Sequence, residues 1–250
     1  MARSRSNSTM QTAFGRITDE YGNRLPADPF APATRFSAAR AFDKLIGLVV
    51  VALASAVVGY LAVPAGVAFG CMAVAFVLTL VTWWRMSLAK WVAPAYAVCE
   101  GVALGAVSAA YASIGHGIIP TAIAFTAAVF LGALALYRTG LVRVTPRMVS
   151  LAFMGALGLL AVGVLSLLGL AIPGSASFGP IGLIFGVVGL VVAVLNLFTD
   201  FEWVNRSEAM GLSAEGEWAA AFAMMTALVL VYISILRIVA VMYGGGNRRS

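Results

Sequence analysis

The sequence is short of charge. Acidic and basic side chains make up 10% of its 250 residues, against about 25% in a typical soluble domain. Acids are scarcest in the middle, where Glu100 is the only one between Asp43 and Asp200. A chain this poor in charge and 62% hydrophobic cannot dress a water-facing surface, which excludes a soluble domain with a single anchor. Histidine occurs once, at His116, with no second ligand beside it, so it offers no metal site. Cysteine occurs twice, at Cys71 and Cys99. Neither has a histidine or a second cysteine at ligand spacing, and both read as small buried side chains. No Ser/His/Asp, Ser/Lys or HExxH constellation is present, and an intramembrane aspartyl protease would need two in-span aspartates. The chain is therefore not expected to be an enzyme or to hold a cofactor. The net charge is +6, but its cations lack interleaved aromatics and a folded polar surface, so nucleic acid is not an expected partner. No short apolar region with a small-residue cleavage site opens the chain, which argues against a cleaved signal peptide.

What is present is apolar sequence, with a mean hydropathy of +0.98. Seven runs near the bilayer-spanning length of about 20 residues lie at 45–63, 66–84, 91–111, 118–137, 149–171, 180–199 and 218–242. The expected fold is all-α, a seven-transmembrane-helix bundle in a lipid bilayer. Residues 1–40 read as a disordered tail, 41–243 as the membrane domain and 244–250 as a flexible end. The stretch from Phe36 to Phe42 could begin an interfacial helix. Cations fall on alternate breaks: Arg85 and Lys90, then Arg138, Arg143 and Arg147, then Arg206. With seven basic residues before the first run, this asymmetry places the N-terminus in the cytoplasm. Thr145-Pro146 reads as the N-cap and first residue of the fifth helix. Gly101-x-x-x-Gly105 and Gly182-x-x-x-Gly186 have the spacing that lets helices approach closely.

Few residues could carry chemistry. Glu100 sits near the middle of the third run, where a charge costs about 2.5–3.5 kcal/mol on insertion scales. It should face the bundle interior, either as a protonated acid bonded to a neighbouring helix or as a proton- or cation-sensitive site. Asp200 ends the sixth run and reads either as a headgroup-level residue or as part of an ion pathway. Asn196, one turn earlier, shares its face. Arg85 ends the second run on the same side and is a candidate partner. Arg237, deep in the last run, needs a carboxylate, carbonyls or room to snorkel.

The ordered motifs resemble the bacterial Bax inhibitor-1-like (transmembrane Bax-inhibitor-motif) family over residues 28–242. They are Pro94-Ala95-Tyr96-Ala97-Val98-Cys99-Glu100-Gly101, Tyr137-Arg138-Thr139-Gly140, Asn196-Leu197-Phe198-Thr199-Asp200-Phe201, Glu217-Trp218-Ala219-Ala220-Ala221-Phe222 and Tyr232-Ile233-Ser234-Ile235-Leu236-Arg237. The resemblance implies a cytoplasmic N-terminus in a bacterial cytoplasmic (inner) membrane and a pH-sensitive calcium leak. It implies two proton-sharing acids on the sixth and seventh helices, facing an arginine of the second. Asp200 matches the first acid and Arg85 the arginine. The second acid falls at Ser234 or Thr226, neither acidic, and Glu100 or Glu217 would have to take its place. The leading expectation is a calcium (cation) leak channel with Asp200 at the cytoplasmic gate, holding calcium only transiently. The alternatives are a non-transporting regulator of a membrane protease or stress pathway, acting through a membrane protein partner, and a proton-coupled carrier using Glu100.

Overall fold

In a computed structural model the described residues are 35–115, 117–167 and 180–246. Among them are seven α-helices: α1 (Ala38–Ala62), α2 (Ala65–Trp84), α3 (Ala89–Ala112), α4 (Ile118–Arg138), α5 (Pro146–Leu167), α6 (Pro180–Ala209) and α7 (Gly216–Gly246). A single 3-10 turn, Met86–Leu88, joins α2 to α3. No strand occurs among the described residues, only an isolated bridge between Arg35 and Ser213. Each helix matches one apolar run. All except α2 are long and apolar enough to cross a bilayer; the apolar stretch of α2, Gly66–Thr82, is shorter. His116, residues 173–179 between α5 and α6, and most of the N-terminal tail lie outside the described residues.

Three boundaries differ from the sequence expectation. The helical domain begins before residue 41, because Phe36 is buried against Trp203, with ring centroids 6.2 Å apart. Likewise α7 continues past 243 to Gly246. The third difference bears on the site: α6 does not stop at Phe198–Asp200 but continues to Ala209. Its inner stripe simply carries on, with Leu197, Phe201 and Val204 all buried at the spacing of one helical face. On the outer side Glu202 and Arg206 pair across one turn, Nε to Oε1 2.6 Å, which supports the extra turns. Asp200 is therefore a mid-helix residue.

Local signals explain the breaks. Thr145 Oγ1 accepts the Met148 N–H at 3.4 Å, and Pro146 opens α5, as the Thr-Pro pair predicts. Before α4, Gly117 sits at φ +96, a backbone conformation that favours glycine.

Neighbouring helices alternate in direction. Ser55 on α1 donates to the Ala97 carbonyl on α3 at 3.3 Å; Ala52 and Ser55 lie against Gly101, and Ala56 and Tyr60 against Gly105, a turn further along both helices. So α1 and α3 run parallel, and α2 must return between them. Tyr96 meets Phe222 and Ser108 meets Tyr232, so α3 and α7 are also parallel. Trp203 lies beside Gly216 while Gly189 lies beside Ser234, so α6 and α7 are antiparallel. The far end of α7, at Tyr243, reaches Gly115. One end of the bundle thus gathers the start of α1, the α4–α5 break and the α6–α7 loop.

Small side chains make up much of the interior, around a few large ones such as Phe201, Leu197 and Met224. Ala93, Ala97, Ala193, Ala220, Ala221 and Ala240 are fully buried, whereas Leu53, Leu61, Leu131, Phe153 and Met154 are exposed on the outside. Without water to drive apolar side chains inward, close backbone approach holds such helices together. The α1–α3 crossing shows this most clearly. A Cβ at Gly105 would fall on the Ala56 carbonyl oxygen and lie 2.7 Å from Tyr60 N, and one at Gly59 would meet the Val102 backbone.

Gly105→Ala should therefore lower stability by roughly 1–3 kcal/mol through overpacking. Gly132→Ala, where a Cβ meets nothing within 4 Å, should be neutral or stabilising by up to about 1 kcal/mol from helix propensity. Thermal unfolding of the detergent-solubilised protein compares them, and equal melting temperatures would remove the crossing as a constraint.

Candidate functional site

The polar chemistry collects at the end where the chain enters the bundle. Glu217, in the first turn of α7, is 1% exposed and yet ionic. Its Oε1 accepts from Arg40 Nε at 2.8 Å and lies 2.7 Å from Arg40 Nη2; its Oε2 lies 2.6 Å from Lys44 Nζ. Oε1 also accepts the Ser37 backbone N–H at 3.0 Å. Glu208 Oε1 takes the next free amide, Ala38 N–H, at 3.1 Å. The Ser37 side chain makes no cap, so carboxylates from α7 and α6 supply the acceptors that the start of α1 needs. Lys44 Nζ stands 5.0 Å over the Trp218 ring, and Phe36 N–H donates to the Leu212 carbonyl at 2.7 Å.

A second cluster joins α4 to α6. Tyr137 Oη donates to Glu202 Oε2 at 2.8 Å and accepts from Asn205 Nδ2 at 2.9 Å. The Tyr137 and Phe130 rings both pack on Phe201, at 5.7 and 5.8 Å. Phe201 thus carries the aromatic contact and Glu202 the polar one, directly beside Asp200.

Asp200 and Glu100 approach the same stretch of α7 from two helices. Both are half-buried. Tyr96, one turn before Glu100 on the same face of α3, packs on Phe222 at 4.9 Å and lies beside Thr226. The antiparallel register of α6 on α7, read from the Trp203–Gly216 and Gly189–Ser234 contacts, brings Asp200 to the level of Phe222. Among the described residues neither acid makes an ion pair. Asn196 does not reach Asp200: its Nδ2 donates to the Val192 carbonyl of its own helix at 3.0 Å.

The residues expected to act together are spread out. Arg85 caps the end of α2, exposed, and no ion pair joins it to Asp200. Glu217 is held by Arg40 and Lys44 instead of Asp200. Of the two places for the second acid, Ser234 faces Gly189, roughly 16 Å along the axis from Asp200. Thr226 is the nearer in level. Arg237 is half-buried and unpaired among the described residues. Sequence reasoning missed Arg40, Lys44, Tyr137 and Glu202. Arg40 and Lys44 were detectable as two cations one turn apart on one face; their acceptor, far along the chain, was not.

Glu217→Gln should cost about 1–3 kcal/mol, less than the 3–5 kcal/mol of a fully buried pair, because Arg40 can turn to water. A double-mutant cycle with Lys44→Met should return a coupling of about 1 kcal/mol in thermal unfolding. Additive effects would mean that the strap holds nothing.

The sequence model of one family, described as Bax inhibitor 1 like, matches residues 4–244. No curated protein matches the chain. The family match covers nearly all of the sequence, including α1 to α6 whole and most of α7. The chain therefore belongs to the Bax inhibitor 1 like family.

Proposed function

We propose that this protein is a seven-span cation leak channel of a bacterial inner membrane. In this reading it passes calcium passively, in a pH-dependent way, with Asp200 as the gating residue. One observation carries it: a half-buried carboxylate in the middle of α6, unpaired among the described residues and level with Phe222, in the second turn of α7. A carboxylate inside a membrane bundle is costly and is retained where ions or protons pass. Among the described residues no three His, Cys, Asp or Glu side chains gather into a metal-holding group. A lone carboxylate with carbonyl and water oxygens holds calcium loosely, which suits passage more than storage.

The alternating directions support counting α2 as a span, since α1 and α3 run parallel on either side of it. The end that gathers Arg40, Lys44, Arg85, Arg138, Arg143 and Arg206 is the cytoplasmic one by cation asymmetry. Asp200 then lies toward the cytoplasmic side. The gate does not use the acid pair that the family resemblance implies. It uses Asp200 by itself, within a frame fixed by Glu217 and by the Tyr137–Glu202 clasp.

Calcium entry into proteoliposomes, followed across pH, tests this reading. The wild type should show pH-dependent flux, and Asp200→Asn should flatten that dependence. Equal profiles would remove Asp200 as the gate, and no flux in either would remove the channel. The position of Glu100, within electrostatic reach of the buried Tyr96 on the same helix, favours a second reading as a proton-coupled carrier. Glu100→Gln should then abolish substrate-driven proton uptake while leaving the Asp200-dependent calcium profile intact.

A further inference from the structure

We propose that the seam between α1 and α4 binds an anionic phospholipid. Its phosphate meets Arg138 and Arg143, and an acyl chain lies in the groove beneath. Two voids lie in series along this seam. The first, of about 610 Å³, opens at the end of the bundle between Phe42 of α1, Tyr137 of α4 and Phe201 of α6. Arg138 and Arg143 line it, both exposed. Its one acid, Glu202, is already held by Arg206 and Tyr137. Among the described residues, the charge left unpaired at the mouth is therefore positive.

The second void, of about 640 Å³, begins one turn further along the same two helices, at Leu45 and Phe130. It runs down past Val49 and Ile123 toward Tyr60 and Tyr232, with almost entirely apolar walls. The seam stays open because α1 and α4 make no extended contact with each other; both lean on α6 and α7. A cationic mouth at the bundle end above an apolar slot has the dimensions and polarity order of one lipid, head at the interface and chain in hydrocarbon. Basic pockets between membrane helices recognise anionic headgroups in this way. A free phosphate would satisfy the mouth and leave the slot unused. The inference does not depend on ion conduction.

Native mass spectrometry of the full chain, titrated with phosphatidylglycerol or phosphatidylcholine, tests it. The wild type should retain phosphatidylglycerol in preference. At about 1 kcal/mol for each basic residue near the headgroup, Arg138→Gln with Arg143→Gln should weaken that binding about 30-fold and leave phosphatidylcholine unchanged. Arg138→Lys with Arg143→Lys keeps the charge and should keep the preference. Ala127→Trp, which fills the slot from an exposed wall position, should weaken both lipids. Undiminished phosphatidylglycerol binding in the glutamine variant would overturn the proposal, as would displacement of the lipid by inorganic phosphate.

Discussion

The bond between Glu217 and the start of α1 is the constraint on which this end of the bundle rests. One buried carboxylate collects a guanidinium, an ammonium and a backbone amide. Each of those donors comes from the N-cap or the first two turns of α1, and the acceptor comes from the first turn of α7. Removing the acid would leave the Ser37 amide and the Lys44 ammonium without their acceptor, while Arg40 could turn to water. The strap therefore fixes where α1 begins and how it leans on α7. With that contact set, the parallel packing of α1 on α3 and of α3 on α7 follows from the glycine and alanine surfaces between them.

This arrangement changes what Glu217 can do. An acid bound by two cations cannot also share a proton with Asp200 at normal cost. Glu217 with Arg40 and Lys44 is thus committed to the frame, whereas Asp200 and Glu100 make no ion pair among the described residues. The Tyr137–Glu202–Asn205 cluster adds a second fixed point just beyond Asp200. Between that cluster and Asp200 lies Phe201, whose ring is wedged among those of Phe42, Phe130 and Tyr137. Movement near Asp200 would have to disturb one of these contacts or pass between them.

Most of the architecture was legible in the sequence, because in a bilayer every backbone group must be satisfied within its own helix. Length and hydropathy alone then give the helices, and the cation pattern on alternate breaks anticipates the alternating directions. Thr145-Pro146 and Gly101-x-x-x-Gly105 do structurally what their chemistry suggests. The extension of α6 beyond Asp200 was less visible, because polar residues from Asp200 onward mask an inner stripe that continues through Phe201 and Val204. The site was less legible still. Glu217 finds its partners some 180 positions away in the chain, and no local pattern encodes that pairing. Arg85 and Asp200 belong to helices, α2 and α6, that make no extended contact, which linear order could not reveal.

The position of α7 has a consequence for biogenesis. It packs against α1, α3, α4 and α6, yet it follows all of them in the chain. Until it arrives, the earlier helices must wait around an unfilled centre, with Lys44, Tyr96 and Ser108 lacking their final neighbours. The bundle therefore cannot reach its final packing before α7 has been made. Chains cut short before Glu217 would carry every preceding span and still lack the piece that makes them one body.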